Sequence, residues 1–225
     1  VVEISVIIPT MNEEASIGAV IDEVRRALAS RDLEILTVDT NSRDRTNEIA
    51  AGKGARVIAE PRRGYGRAYM TGFAAAQGTY ILTLDADETY PADRFPEFLK
   101  PLDEDRADFV AGDRISLLSE DAMSGMHRVG NTMLNLAFRL LFRSPIRDSQ
   151  SGMWAFRRAI LPRLHLVHDG MAFSEELKIE VVRNGFRYLE IPVEYRVRIG
   201  DKKIRSVRDA FGNMVWLLRK RFGWA

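Results

Sequence analysis

In the stretch LTLDADETYP, residues 82–91, an apolar, β-forming run stops and three carboxylates, Asp85, Asp87 and Glu88, follow within four positions. Successive side chains of an extended segment point to opposite sides, so Asp85 and Asp87 are expected to face one place and Glu88 another. Two like charges about 4 Å apart repel by roughly 1 kcal/mol in water and about 4 kcal/mol at an effective dielectric near 20. A divalent cation offsets that repulsion, and carboxylate oxygens suit Mg2+ or Mn2+. Two carboxylates do not fill a Mg2+ shell; the ion commonly keeps water and takes substrate phosphate oxygens. The pair therefore points to a phosphate-bearing ligand. The competing reading is a solvated first turn of a helix beginning near Pro91, where Asp87 and Glu88 favour the helix dipole.

These side chains need a frame, and the first hundred residues supply one. Residues 4–8, 33–39, 56–59 and 80–85 are short, nearly continuous apolar runs separated by helical patterns. That alternation predicts an α/β fold, with a parallel sheet covered by crossover helices. Ile17, Val20, Ile21, Val24 and Leu28 recur at helical spacing as one apolar stripe, and further helices are expected over 45–53 and 66–76. In an open α/β sheet the ligand crevice lies beyond the carboxyl ends of the strands. Three such ends carry polar runs here: PTMNEE (9–14), DTNSRD (39–44) and DADETYP (85–91). Each alone also reads as a capped helix start; their meeting on one sheet edge reads as a site.

The second half is less regular. A strand is expected over 109–112, then a long helix over 126–143 in which Val129, Met133, Leu136, Leu140 and Leu141 follow helical spacing between Arg128, Asn131, Asn135 and Arg139. A helix over 174–184 closes on Gly185. The strand-like run FRYLEIPVEYRVR follows, and a last helix covers 204–224. One domain over 1–225 is expected: a nucleotide-binding half (1–105), an acceptor half (106–203) and a terminal amphipathic helix (204–225).

At 225 residues the chain can bury one substantial core, and 46% hydrophobic with 29% charged residues is the composition of a folded globule. Lys and Arg (33) nearly balance Asp and Glu (32), so bulk charge gives no argument for a nucleic-acid partner. The absence of cysteine excludes disulfides, thiolate metal sites and cysteine nucleophiles together. No run of about 18 apolar residues occurs, and the chain as given is expected not to span a membrane. His127, His165 and His168 share no metal-ligand spacing and read as structural or surface residues.

In order, the segments PTMNEE, VDTNSRDRT, RRGYGRA and DADETYP resemble the family-2 glycosyltransferases of the GT-A fold. GDR at 112–114, DSQSGMWAF at 148–156, EIPVEY at 190–195 and RIGDKKI at 198–204 look like its polyprenyl-phosphate branch, the dolichol-phosphate mannose synthase type. The resemblance covers almost the whole chain. It implies that Pro9, Thr10, Asn12 and Glu13 hold the nucleotide, that Asp39 contacts the base, and that Arg63 and Gly64 line the donor pocket. The glycines of RRGYGRA suit that place, since they permit close backbone approach before a helix N-terminus. Asp85, Ala86 and Asp87 match the DxD motif that binds Mg2+ or Mn2+ and the donor diphosphate. Thr89 stands where mannose synthases often carry Gln as a further metal contact, and Thr40 where the family often has a second Asp.

The implied reaction moves a hexose, mannose or glucose, from a nucleotide sugar such as GDP-mannose or UDP-glucose to a polyprenyl or dolichyl phosphate, with inversion. Arg114, Arg128, Arg198 and Lys202 are the expected cradle for the acceptor phosphate, Arg being suited to bidentate phosphate contacts. Glu175 and Glu176 sit near where relatives with hydroxyl acceptors place a base, and they keep a soluble or glycan hydroxyl acceptor open. A catalytically silent nucleotide-sugar-binding module is the alternative from another class. The helix over 126–143 and the terminal helix, with Val207, Phe211, Met214, Val215, Leu218 and Phe222 beside Arg219, Lys220 and Arg221, are amphipathic. Such stripes serve as core faces or, on an enzyme that reaches a lipid phosphate, as an interface with a membrane surface. A peripheral place on the cytoplasmic face of a membrane is the corresponding expectation.

Overall fold

The computed structural model describes residues 2–117, 125–200 and 206–223, with the side chains of 125–129, 131 and 206–211 left aside. The first half alternates as expected: β1 (Ile4–Thr10), α1 (Ile17–Ala27), β2 (Leu33–Asp39), α2 (Thr46–Gly52), β3 (Arg56–Ala59), α3 (Tyr65–Ala75) and β4 (Tyr80–Thr83). After a 3-10 turn come α4 (Phe95–Asp103), β5 (Phe109–Asp113), α5 (Gly125–Phe142), β6 (Trp154–Arg157), α6 (Phe173–Arg183), β7 (Tyr188–Pro192) and α7 (Ser206–Phe222).

The seven strands form one sheet in the order β3-β2-β1-β4-β6-β5-β7. β3, β2, β1 and β4 run parallel, β6 is antiparallel to both neighbours, and β5 pairs in parallel with β7. Sequence reading missed β6, a four-residue strand inside the DSQSGMWAF motif. A helix does begin near Pro91, as a 3-10 turn over Ala92–Arg94 that continues into α4.

Strand alternation divides the interior. Ile4, Val6 and Ile8 pack with Leu82, Val110 and Ala155 under α1 and α4. Ile7 packs with Ile81, Phe109 and Trp154 under α3 and α6. A third cluster joins Leu134 and Phe138 of α5 to Ile179 of α6 and to Trp216 and Leu217 of α7. The chain winds outward from β1 to β3 and returns to β4 on the other side, so the order reverses between β1 and β4. At such a switch point the loops diverge and leave a crevice.

Two glycines before and inside α3 set how its start meets the turn before α6. Gly64 has φ +154, and a Cβ there would lie 2.3 Å from the Asp169 carbonyl oxygen; at Gly66 a Cβ would lie 2.1 Å from the His168 carbonyl oxygen and 2.7 Å from Phe173 Cβ. Backbone cannot withdraw as a side-chain tip can, so Gly66→Ala is expected to destabilise the protein by about 1–3 kcal/mol. Urea unfolding of the variant checks this; an unchanged midpoint would mean that the α3 contact is loose.

Candidate active site

The loops after β1 and β2 are laced into one unit. Asn12, at φ 53, accepts from the Arg43 amide at 2.7 Å through Oδ1 and donates its own amide to Ser42 Oγ at 2.8 Å. The Glu13 amide donates to Thr46 Oγ1 at 2.7 Å, and Glu14 and Thr46 both donate to Asp44. Asp39, at the end of β2, accepts from the amide and hydroxyl of Ser42. Thr40 donates its amide to the Thr10 carbonyl at 2.9 Å. Asn, Asp, Ser and Thr fill these loops because short polar side chains satisfy the backbone where neither sheet nor helix does. Pro9, Thr10, Asn12, Glu13 and Asp39 thus lie together on the carboxyl edge, with Glu13 and Asp39 nearly buried.

The structure places a further carboxylate here that sequence reading passed over. Glu60 follows β3 and is buried; its amide donates to the Asp39 carbonyl. Hydrogen bonds from Arg62 and then Thr71 hold its carboxyl down at about 2, and they fix the loop that carries exposed Arg63 to Gly64. An acidic residue directly after a strand was the available signal.

The acidic motif sits across the switch point. β4 ends at Thr83, two residues earlier than expected, so a turn rather than an extended strand orients the carboxylates, and Glu88 takes the left-handed φ of 63. Asp87 is buried. Its Oδ1 accepts from the Thr89 amide at 3.1 Å and hydroxyl at 2.6 Å, and its Oδ2 accepts from Arg198 Nη1. Arg198 also donates to Glu13 Oε1 at 2.8 Å. The backbone repeats the contact: the Ile199 amide donates to the Asp87 carbonyl and the Arg196 amide to the Thr89 carbonyl. Asp87 is therefore a fixed, paired carboxylate rather than a solvated helix-start residue, and Thr89 is its orienting donor.

Asp85 has a different environment. Tyr65, Tyr90 and Gly152 surround it: a Cβ on Gly152 would lie 2.2 Å from Tyr65 Oη and 3.6 Å from Asp85 Oδ1, and the Gly152 amide donates to Tyr90 Oη at 2.8 Å. Burial, and then the charge of Asp87, push Asp85 up to about 7 against the opposing Arg114 and Arg198. A carboxyl raised in this way lacks countercharge, which an added cation would supply. Among the described residues no group of three or more His, Asp or Glu is arranged to hold a metal ion. Hard oxygen donors on two adjacent carboxylates fit an ion that takes its remaining ligands from water and substrate.

Arg114 lies behind this pair. It is buried, and it grips Asp148 through Nε at 2.7 Å and Nη2 at 2.9 Å while its guanidinium lies 5.1 Å from the Tyr195 ring centroid. Burial alone would raise Asp148, but Arg114, with Lys178, holds it below the usual carboxylate range. Lys178 is fully buried and donates to the carbonyls of Asp148 and Ser151; burial lowers it to about 8. Removing one member of a buried pair costs about 3–5 kcal/mol, so Asp148 fixes where Arg114 stands. Asp148 opens the DSQSGMWAF motif read from sequence, but its pairing with Arg114, and Lys178 altogether, were not read there, because a buried ion pair leaves no periodic trace.

The remaining expected residues divide. Arg198 joins the acidic motif directly and Arg114 electrostatically. Arg128 falls on α5 with a side chain outside the described residues, as does that of His127, and Lys202 lies outside them altogether. Glu175 and Glu176 are completely buried. Glu176 accepts from the amides of Val167 and His168 at 3.0 and 2.8 Å, while Glu175 accepts from Gln150. His168 is structural as expected, its ring 5.4 Å from that of Trp216 and its Nδ1 accepting from the Gly170 amide.

Comparison with known proteins fits this geometry. The chain is 36% identical over 202 residues to a dolichyl-phosphate hexose transferase of Haloferax volcanii, covering 90% of this chain and 86% of that protein. It is 32% identical over 219 residues to the low-salt glycan biosynthesis hexosyltransferase Agl6 of the same organism, covering 96% of this chain but only 53% of Agl6. The fold superposes on glucosyl-3-phosphoglycerate synthase from Mycobacterium tuberculosis in complex with Mn2+, UDP and phosphoglyceric acid, with a TM-score of 0.76 at 22% identity over 97% of this chain and 78% of that one. That likeness establishes the GT-A architecture. With the glycosyl transferase family 2 model matching residues 5–164, the chain belongs to that family.

Proposed function

We propose that the chain transfers a hexose from a nucleotide sugar to the phosphate of a polyprenyl lipid, with inversion at the anomeric carbon. The observation that carries this reading is the pairing of charges at the switch point. Arg198 and Arg114 bracket the carboxylates that receive the donor, so the edge is built to bring one anion beside another. The relative named as a dolichyl-phosphate hexose transferase, similar over nine-tenths of this chain, supports the same acceptor class.

Each residue then has a task. The laced loops carrying Pro9, Thr10, Asn12, Glu13 and Asp39 hold the nucleoside, with Arg63 and Gly64 closing the far side of the donor. Asp85 and Asp87 would hold a Mg2+ or Mn2+ ion, whose charge, when bound, offsets that developing on the leaving diphosphate. Thr89 keeps Asp87 in register, and Ala86 carries the turn between the two carboxylates. Arg198 is the countercharge of Asp87 and Glu13, and with Lys202 and Arg128 it is placed in the reading as the cradle for the acceptor phosphate. Arg114 adds fixed positive charge from below. A phosphate oxygen is already an anion, so the acceptor needs no base, and catalysis reduces to positioning and charge. A hydroxyl acceptor would need one; of the residues considered for that task, Glu176 is held by two backbone amides, while Glu175 is fully buried, bonded to Gln150 through Oε1 alone with Oε2 unpartnered among the described residues, and burial raises its carboxyl.

The outer face of α5 and α7 suits a lipid substrate. Met133, Leu136 and Leu140 of α5 are 60%, 50% and 71% exposed, and on α7 Leu218 and Phe222 are exposed beside Arg219 and Arg221. The core side of α5 is instead Leu134 and Phe138, so the stripe read from sequence is largely the outward one. Full burial of each such side chain is worth about 1.5–3 kcal/mol, and basic residues nearby favour anionic headgroups. Among the described residues no helix is long and apolar enough to cross a membrane.

Two outcomes are expected. In a turnover panel of GDP-mannose and UDP-glucose with Mn2+, one donor should glycosylate a short polyprenyl phosphate, and excess EDTA should reduce the rate by roughly 100-fold or more. Product formed solely on hydroxyl acceptors would overturn the acceptor assignment. Leu140→Glu with Phe222→Glu should abolish flotation with vesicles rich in anionic lipid and leave the melting temperature unchanged; undiminished flotation would remove this face as the docking surface.

A further inference from the structure

α5 buries Leu134 and Phe138 but leaves Met133, Leu136 and Leu140 exposed, and it buries an amide, Asn135, at 4% exposure. α7 does the same with Asn213, buried at 6%. Both amides point at the loop between α5 and β6, and the bonds form one chain. Asn213 Nδ2 donates to Gln150 Oε1 at 3.0 Å, Gln150 Nε2 donates to Ser149 Oγ at 3.2 Å, and Ser149 Oγ donates to Asn135 Oδ1 at 2.6 Å. The Ser149 amide also donates to Asn135 Oδ1, at 2.8 Å. Every donor meets an acceptor in one direction from α7 to α5.

Consecutive residues of this loop answer to different partners. Asp148 holds Arg114, Ser149 meets α5, Gln150 meets α7 and Glu175, Ser151 accepts from Lys178, and the Gly152 amide reaches Tyr90 beside Asp85. Residues 148–152 therefore have little freedom of their own; their place is the sum of those attachments. A shift at Ser149 or Gln150 passes to Asp148, and from there to Arg114, through a buried bidentate ion pair that moves as a unit.

We propose that Asn135 and Asn213 are positioning residues for glycosyl transfer: acting through Ser149 and Gln150, they fix the loop whose Asp148 sets Arg114 beside the carboxylate pair. Through them the two helices with the outward apolar face reach the reacting centre. The inference rests on the glycosyltransferase reading and on Arg114 taking part in transfer. It goes beyond that reading in assigning a task to two amides on α5 and α7, outside the donor loops.

The polarity of the bonds gives a test with opposite signs for one substitution. Asn135 only accepts in this chain, so Asn135→Asp keeps the interaction and Asn135→Leu removes it. Asn213 donates, so Asn213→Asp removes it. Kinetics of transfer from the nucleotide sugar to a short polyprenyl phosphate would be measured for these variants and for Arg114→Lys. The Kd of nucleoside diphosphate with Mn2+ and the melting temperature would be measured alongside. Asn135→Leu and Asn213→Asp are expected to lower kcat roughly 10-fold or more, as Arg114→Lys does, while Asn135→Asp stays within about 3-fold and nucleotide Kd within about 2-fold throughout. Wild-type kcat in Asn135→Leu and Asn213→Asp, or a loss shared equally by nucleotide binding, would overturn the proposal. If the wild type instead uses a hydroxyl acceptor, the lipid-phosphate reading fails by itself, and the same ranking measured with that acceptor still decides the role of the two amides.

Discussion

Two carboxylates placed side by side at the switch point of the sheet, Asp85 and Asp87, are the constraint around which the rest is arranged. Burial, and then the charge of Asp87, push Asp85 up to about 7. The fold meets that charge from several directions. Arg198 arrives from the segment after β7 and bridges Asp87 to Glu13. Arg114 stands below on its Asp148 support, and Thr89 fixes one oxygen of Asp87. Elements distant in sequence are tied together because each supplies part of one electrostatic balance. Arg198 bonds both Asp87 and Glu13, so one guanidinium steadies the acidic motif and ties it to the loop after β1.

The middle of the chain makes this balance rigid. An antiparallel β6 between β4 and β5 brings the loop at 148–152 back under the acidic motif, where Lys178, buried and lowered to about 8, pins two of its carbonyls. Buried charges of this kind are a weak source of net stability, and their value lies in fixing one geometry. The outer helices contribute at both ends. Each buries some apolar residues against α6 and leaves others exposed, and their buried amides face the loop, so a short run of hydrogen bonds joins the two helices to the loop that carries Asp148.

Much of the first half was legible in the sequence because apolar runs, helical stripes and polar strand ends coincide there. β2 and β3 match their expected bounds, and the ligand edge followed from where Asp39 and Asp85 stand. The second half was less legible for physical reasons. β6 is four residues long and enclosed by a motif that reads as a loop. The stripe of α5 was drawn through Met133, Leu136 and Leu140, but the core took Leu134 and Phe138, since periodicity marks an apolar face without saying which neighbour covers it. Asp87 lies near enough to raise the carboxyl of Asp85, and a turn at Ala86 rather than a strand links the two. Thr89, at the position of the family's further metal contact, donates its amide and hydroxyl to Asp87. The roles of Glu60, at a strand end, of Asp148, at the head of a quoted motif, and of Lys178 exist only once distant partners meet.

The central claim is that Asp85 and Asp87 form the seat of a divalent cation shared with a diphosphate. Its most direct test is an electron paramagnetic resonance titration of Mn2+ with the chain and a nucleoside diphosphate, repeated with Asp85→Asn and Asp87→Asn. The account predicts saturable Mn2+ binding by the wild type in the presence of nucleotide and its loss in each variant. Mn2+ binding undiminished in both variants would contradict it.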